Sequence, residues 1–396
     1  MKAFGSLMVV ALAVLTAVGT AMAQEPASDP WAVSAGATAQ FTDNRDGVDQ
    51  NKESNLDLTG EVRGDLRWRD GERTRLDLFL APSVKWHSNP RSVSEGNPQN
   101  DEELFGAAGF SLQHRVTPRV GIDLSDKAVY TDDPEVTAGG ANVRQSANHW
   151  LNTVGAGVSA EITPKVGANV MGEYMIKRYD EETVANEEDE DVLKAEAYLK
   201  YLMGAGVNVF GMVGASDFNN ESQTRDRGSQ VMTYGVGAEK IFSPDVIGKV
   251  VAGYQMAEFD DDAIASRDSA YGSAEATLRA ASPTRFRVGV TYGFSAPNVR
   301  PYSVQQLASV WGAVDHDVTA RLTVTLRGQY SNSDYDEEGA DLPGGSDDLA
   351  TVSLRGNFKL DRVWALAAGY TYENWDSDVR ESFDRNTVDA GVKAAF

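Results

Sequence analysis

The amino-acid sequence predicts an all-β chain closed into a transmembrane, antiparallel, up-and-down β-barrel of about 18 strands. Three separable observations predict it. Apolar and polar residues alternate with period two from end to end, the connections are short and long by turns, and aromatic residues gather at both ends of the apolar faces.

The alternation is plainest in 56–68. Leu56, Leu58, Gly60, Val62, Gly64, Leu66 and Trp68 take every second position, with Asp57, Thr59, Glu61, Arg63, Asp65 and Arg67 between them. A strand sends successive side chains to opposite faces, so this segment carries one apolar and one charged face. Beyond the tight link Asp70-Gly71-Glu72, the next segment sets Leu76, Leu78, Leu80, Pro82, Val84 and Trp86 against Arg75, Asp77, Lys85 and His87. Followed along the chain, the pattern predicts strands near 31–41, 54–68, 74–87, 102–115, 120–130, 149–162, 166–177, 192–203 and 207–217. It continues near 230–242, 246–258, 268–280, 284–295, 304–316, 318–331, 349–360, 363–373 and 385–396. The count is even, as in single-chain bacterial barrels.

Short connections carry turn residues: Thr117-Pro118, Thr163-Pro164, Gly204 to Gly206, Ser243-Pro244-Asp245, Ser282-Pro283 and Asp361-Arg362. Long ones, at 88–101, 131–148, 178–191, 218–229 and 332–348, are polar and acidic. Barrels of the outer membrane keep short turns on the periplasmic side and long loops outside, which orients the chain. On the apolar faces Trp31, Trp68, Phe286, Phe358, Trp364 and Phe396 fall at the periplasmic ends. Phe41, Trp86, Tyr130, Trp150, Tyr174, Tyr254, Tyr292, Tyr330 and Tyr370 fall at the opposite ends. Two belts suit two membrane interfaces.

Residues 1–23 read as a cleaved signal peptide: Lys2, an apolar run from Leu7 to Val18, and Ala21-Met22-Ala23 ahead of Gln24. The barrel is then 24–396. Cysteine is absent, which excludes a disulfide framework and thiolate chemistry. A net charge of -23, bunched in segments such as 180–191 and 260–262, argues against nucleic acid as a partner.

The chain resembles the "putative β-barrel porin 2" family of Gram-negative bacteria. The resemblance rests on a first strand running into Phe41-Thr42-Asp43-Asn44 ahead of a charged hairpin. It rests also on Thr117-Pro118-Arg119 leading through Ser125 and Tyr130 to Thr131-Asp132-Asp133-Pro134. The closing strand, with Val388, Ala390, Val392 and terminal Phe396, looks like the signal read by the outer-membrane assembly machinery. The resemblance implies an outer-membrane pore and, for members linked to exopolysaccharide export, polysaccharide export components as partners. It brings no catalytic residues.

About 18 strands enclose an aqueous channel unless something fills it, which makes the inward face the functional surface. Arg279, Arg285, Arg287, Arg321, Arg327, Arg355 and Lys359 form a basic strip there, against few acids, chiefly Glu275 and Asp315. The strip would favour anionic solutes. The bland alternative is a structural ladder paired with carboxylates. The opposite wall is mixed, with Asp57, Glu61, Asp65 and Asp77 beside Arg63, Arg67 and Arg75. Inward Tyr198, Phe210, Tyr271 and Trp311 suit either sugar stacking or wall packing, and packing is preferred; Trp311 lies on the strand whose facing is hardest to assign.

An embedded enzyme needs a histidine within reach of a partner. His114 and His316 fall at periplasmic ends; His87 and His149 reach the outer rim on strands that do not adjoin, where exposed histidines are common without chemistry. The acidic runs 187–191 and 260–262 lack EF-hand spacing and read as solvated loops that suit contact with lipid and lipopolysaccharide. No cofactor or metal site is expected. The expected function is a porin-like channel for passive passage or export of hydrophilic solutes, polysaccharide export among them. The alternative is a structural or surface-binding barrel with a closed lumen.

Overall fold

The computed structural model describes residues 30–90, 100–132, 147–204, 206–220, 227–243, 245–280, 283–297, 302–335 and 344–396. The segment 1–23 expected to be a signal peptide, Asp133-Pro134 of the family motif and the middles of several long loops lie outside them. The first nine strands are β1 (Trp31–Thr42), β2 (Asn55–Asp70), β3 (Thr74–His87), β4 (Glu102–Thr117), β5 (Val120–Thr131), β6 (His149–Thr163), β7 (Val166–Tyr179), β8 (Glu190–Gly204) and β9 (Val207–Asn220). The second nine are β10 (Ser229–Ser243), β11 (Val246–Phe259), β12 (Arg267–Ala280), β13 (Thr284–Ser295), β14 (Gln305–Asp317), β15 (Leu322–Tyr335), β16 (Gly345–Lys359), β17 (Trp364–Ser377) and β18 (Phe383–Ala395). Each pairs antiparallel with its neighbours in sequence, and β1 pairs with β18, which closes one 18-stranded sheet.

The predicted strands coincide with these to within a few residues. The largest departures are the start of β15, displaced by the turn at 318–321, and the outer ends of β15, β16 and β17, which run beyond the alternation into the mouth. The segment 178–191, expected to be a polar loop, holds a short helix, α1 (Glu182–Glu188). Val184 of α1 is buried with Ala147 and Tyr179, so three small apolar contacts order a stretch whose composition reads as solvent-facing.

The closed sheet pairs every strand on both edges, which satisfies the backbone polar groups where no water can. The apolar faces point outward. Leu80, Leu104, Val170, Leu199, Val236 and Val250 are more than half exposed, as residues meant for lipid must be. Trp31 and Trp68 stand at one rim of this band; Phe41, Trp150, Tyr254, Tyr330 and Tyr370 stand at the other. The outer tyrosines reach polar partners above the band: Tyr330 Oη donates to Asp348 and Tyr370 Oη to Asn386, both at 2.6 Å. An amphipathic ring of this kind sits naturally at a membrane surface.

Candidate functional site

The inward face divides into two regions. At the periplasmic end Arg279, Arg285, Arg327, Arg355 and Lys359 point into the lumen and are exposed, with Arg287 partly so; Arg321 lies in the turn before β15. Six members of the strip expected from sequence thus share the inward face of β12, β13, β15 and β16, and Arg321 lies outside the strands. Two of its members are paired. Arg287 meets Asp315 on β14 at 3.0 Å, and Arg355 reaches over β17 to Asp389 at 3.0 Å. That reach crosses Gly369, where a Cβ would collide with the Asp389 carboxylate. Among the described residues, Arg279, Arg285, Arg327 and Lys359 make no ion pair. Arg279 and Arg285 are direct cross-strand partners. Like charges placed so are destabilising.

The mixed wall is more self-contained. Arg63 pairs with Asp65 at 2.9 Å and stacks on Phe79 at 4.3 Å from the ring centre, and Arg75 pairs with Asp77 at 2.6 Å. Residues two apart on one strand share a face, so these pairs form along a strand rather than across the lumen. Trp311 faces inward: its ring lies against Gly289, where a Cβ would sit 2.5 Å from it. Tyr198 and Tyr271 pack on Phe210, Met212 and Val251, so the inward rings are largely wall packing as expected.

The outer mouth is different in kind. Lys85, Glu103, Lys177, Glu190, Gln305, Tyr335, Asp347, Trp375 and Phe383 occupy inward positions at the outer strand ends, and all are buried. Ion pairs and hydrogen bonds link them. Lys85 Nζ meets Asp132 at 2.5 Å, Arg385 meets Glu373 at 2.6 Å, and Tyr335 Oη donates to Gln305 at 3.0 Å. Segments beyond the strands enter as well: Arg380 lies 3.3 Å above the Trp375 ring, and burial lowers its pKa to about 10 against the raising effect of Asp347 and Tyr335. Asp361, in the periplasmic turn after β16, is held below the ordinary carboxylate range by backbone N–H bonds from Trp364 and Val363.

The histidines of the outer rim are a correction. His87 and His149 are not exposed but 2% and 1% accessible, because the outer ends of β3 and β6 turn them into the packed mouth. His87 Nδ1 lies 2.7 Å from Asp57 Oδ1, and its strand partner is Asp57 itself. Sequence held that signal. The tight β2–β3 turn fixes the register, and counting back from Asp70 opposite Thr74 brings Asp57 opposite His87. His114 and His316 lie on the outward face at the periplasmic ends, each near a threonine hydroxyl, at 3.0 and 2.8 Å.

One hydrogen-bond row joins the two regions. From Arg285 it passes through Asp315, Thr325, Arg355, Gly369, Asp389, Gln40 and Asp57 to His87. Strands tilted by ~35–45° make such a row climb from one rim to the other. The wall is thus polar along its whole height. The terminal Phe396 exchanges backbone bonds with Val33, at 2.8 and 3.2 Å, at the seam.

Comparison with known proteins follows the same lines. Residues 213–396 match the family described as "Putative beta-barrel porin 2". The family resembled by the first third of the chain is thus the one matched by its second half. OpdK (OccK1) of Pseudomonas aeruginosa superposes with a TM-score of 0.53 at 11% identity, covering 92% of this chain and 99% of that chain. The structure of OpdK with vanillate gives 0.52 at 12% identity over the same shares, and OccAB3 of Acinetobacter baumannii gives 0.50 at 10%, covering 93% and 100%. At these identities the likeness is one of fold. No curated protein matches the sequence. The chain is a porin-like barrel of the Gram-negative outer membrane.

Proposed function

We propose that the barrel is a passive channel for small hydrophilic solutes and that its arginine wall biases it toward anions. The observation carrying this reading is the exposed group Arg279, Arg285, Arg327 and Lys359 on one side of the periplasmic lumen, without an ion pair among the described residues. Charge of one sign lining a low-dielectric passage raises the local concentration of the opposite sign. No step of chemistry is assigned to the chain. Polysaccharide export, which the family resemblance brings, draws no support from the matched proteins, and the packed outer mouth suits a small solute better than a polymer. The same packing supports a second reading, a structural barrel whose lumen stays shut. Contacts with lipopolysaccharide and with the assembly machinery belong to the proposal as well, resting on the outer tyrosine ring and on Phe396 at the seam.

Single-channel recording in planar bilayers tests it. Resolved conductance steps are expected, with a reversal potential in a salt gradient on the anion side that moves toward neutral selectivity in Arg285→Ala and Arg327→Ala. Complete absence of steps would establish the closed barrel instead; cation selectivity unmoved by the substitutions would remove the arginine wall from the account.

A further inference from the structure

We propose that the lipid-facing wall of β4, β5, β6 and β7 is where a second copy of this chain docks, across a two-fold axis passing by Asp126 and Asn152. The carrying observation is a polar pair on the face meant for lipid. On β5 the outward positions are Val120, Ile122, Leu124, Asp126, Ala128 and Tyr130; Tyr130 is opposite Trp150, and Asp126 is opposite Phe110 and Val154. Asn152 is outward too, opposite Ala128 and Ile176, and its Nδ2 donates to Asp126 Oδ1 at 2.7 Å.

The pair lies inside the apolar band. The outer aromatic belt passes here through Tyr130 and Trp150, whose rings are 4.9 Å apart. Asp126 stands four residues below Tyr130 on the same strand, a descent of about 10 Å at ~3.4 Å per residue and a tilt of ~40°. The band is ~25 Å tall, so the carboxyl is near its middle. Nothing else among the described residues is placed so: every other outward acid or base on a strand lies within three residues of a strand end. Outward Asp348, by contrast, sits above the band and accepts from the belt's Tyr330.

A carboxyl facing hydrocarbon is costly, and such a residue is kept where something answers it. Asn152 answers it in part. Asp126 has a second oxygen, and Asn152 a second amide hydrogen and a carbonyl oxygen. Among the described residues neither side chain has a further hydrogen bond or ion pair. A two-fold axis gives each copy what the other lacks: the spare N–H of Asn152 in one meets the spare oxygen of Asp126 in the other, and the reverse, closing a ring of four polar groups. This self-complementarity selects a second copy as the occupant, since a lipid tail offers no donor. Gly106, Ala108, Ala128, Ala156 and Gly172 share the same outward face and let two walls approach closely around the pair.

The experiment uses the full barrel reconstituted in phospholipid bilayers. The chain has no cysteine, so single cysteines report contacts directly. Oxidation is expected to join two copies through Ala128→Cys, and not through Val310→Cys, an outward position nine strands around the barrel on β14. Asp126→Leu and Asn152→Leu should each weaken the dimer by about tenfold. The thermal stability of the barrel itself should not fall, because leucine suits the lipid face. A merely structural pair would do the opposite, losing barrel stability with association unmoved. Heat-modifiable gel migration checks closure, and Asn152→Leu, on the neighbouring strand, covers the case in which Asp126→Leu does not close. A monomeric wild type in bilayers, equal crosslinking through Val310→Cys, or an undiminished dimer in the closed leucine variants would overturn the proposal.

Discussion

The two ends of one lumen are built from the same alternating strands and yet solve opposite problems. At the periplasmic end long cations stand in water, four of them without a carboxylate among the described residues. At the outer end charges of both signs are buried and matched, as in Lys85 with Asp132 and Arg385 with Glu373. A solvated charge costs little and acts at a distance. A buried one is costly alone and contributes mainly through its partner. On the proposed function, one end is arranged to act on a passing solute, and the other holds the mouth in shape.

The contrast can be broken at several points, and the largest effect belongs to the buried end. Lys85→Ala breaks the buried Lys85–Asp132 pair and should destabilise the folded barrel by about 3–5 kcal/mol, read from denaturant unfolding in detergent. An effect below about 1 kcal/mol would place the pair in the surface class after all. Next comes Gly289→Ala. The added methyl cannot share space with Trp311, so the ring must swing into the lumen, costing about 1–3 kcal/mol and lowering single-channel conductance.

The arginine wall should behave in reverse. Arg279→Ala relieves a like-charge pair and should change stability by no more than about 0.2–1 kcal/mol, in the stabilising direction, while reducing anion preference. That preference should also fall between 0.1 and 1 M salt, where the screening length drops from ~10 Å to ~3 Å. The smallest effect is at Asp361. Its carboxyl is held below the ordinary range, so its contribution is present above that range and is lost as pH falls through the lowered value. Asp361→Asn should remove that acid-side dependence, seen in unfolding below the ordinary carboxylate range.

Legibility in the sequence divides along the same line. Period two fixes which face each residue takes, and short turns fix the register between the strands they join. The arginine wall was therefore readable, as was the pairing of Asp57 with His87 through the β2–β3 turn. The mouth was not. Glu103 and Asp132 reach His87 across long connections, whose length leaves register open and whose polar composition says nothing of burial. The helix α1 escaped for the same reason: a few buried apolar contacts decide its form against an acidic background.

The seam between β1 and β18 has a consequence for how such a chain can be made. Thr42 pairs with Thr387 and Ser34 with Ala395, partners separated by nearly the whole described length. Every other strand can find its neighbour locally, as a hairpin does. These two must wait, each presenting a row of bare amides and carbonyls to any strand that passes. Closure is thus the slowest contact to form and the last to protect the edges, so the hazard of misassembly concentrates in one joint. The barrel's vulnerability lies in time rather than in its finished wall.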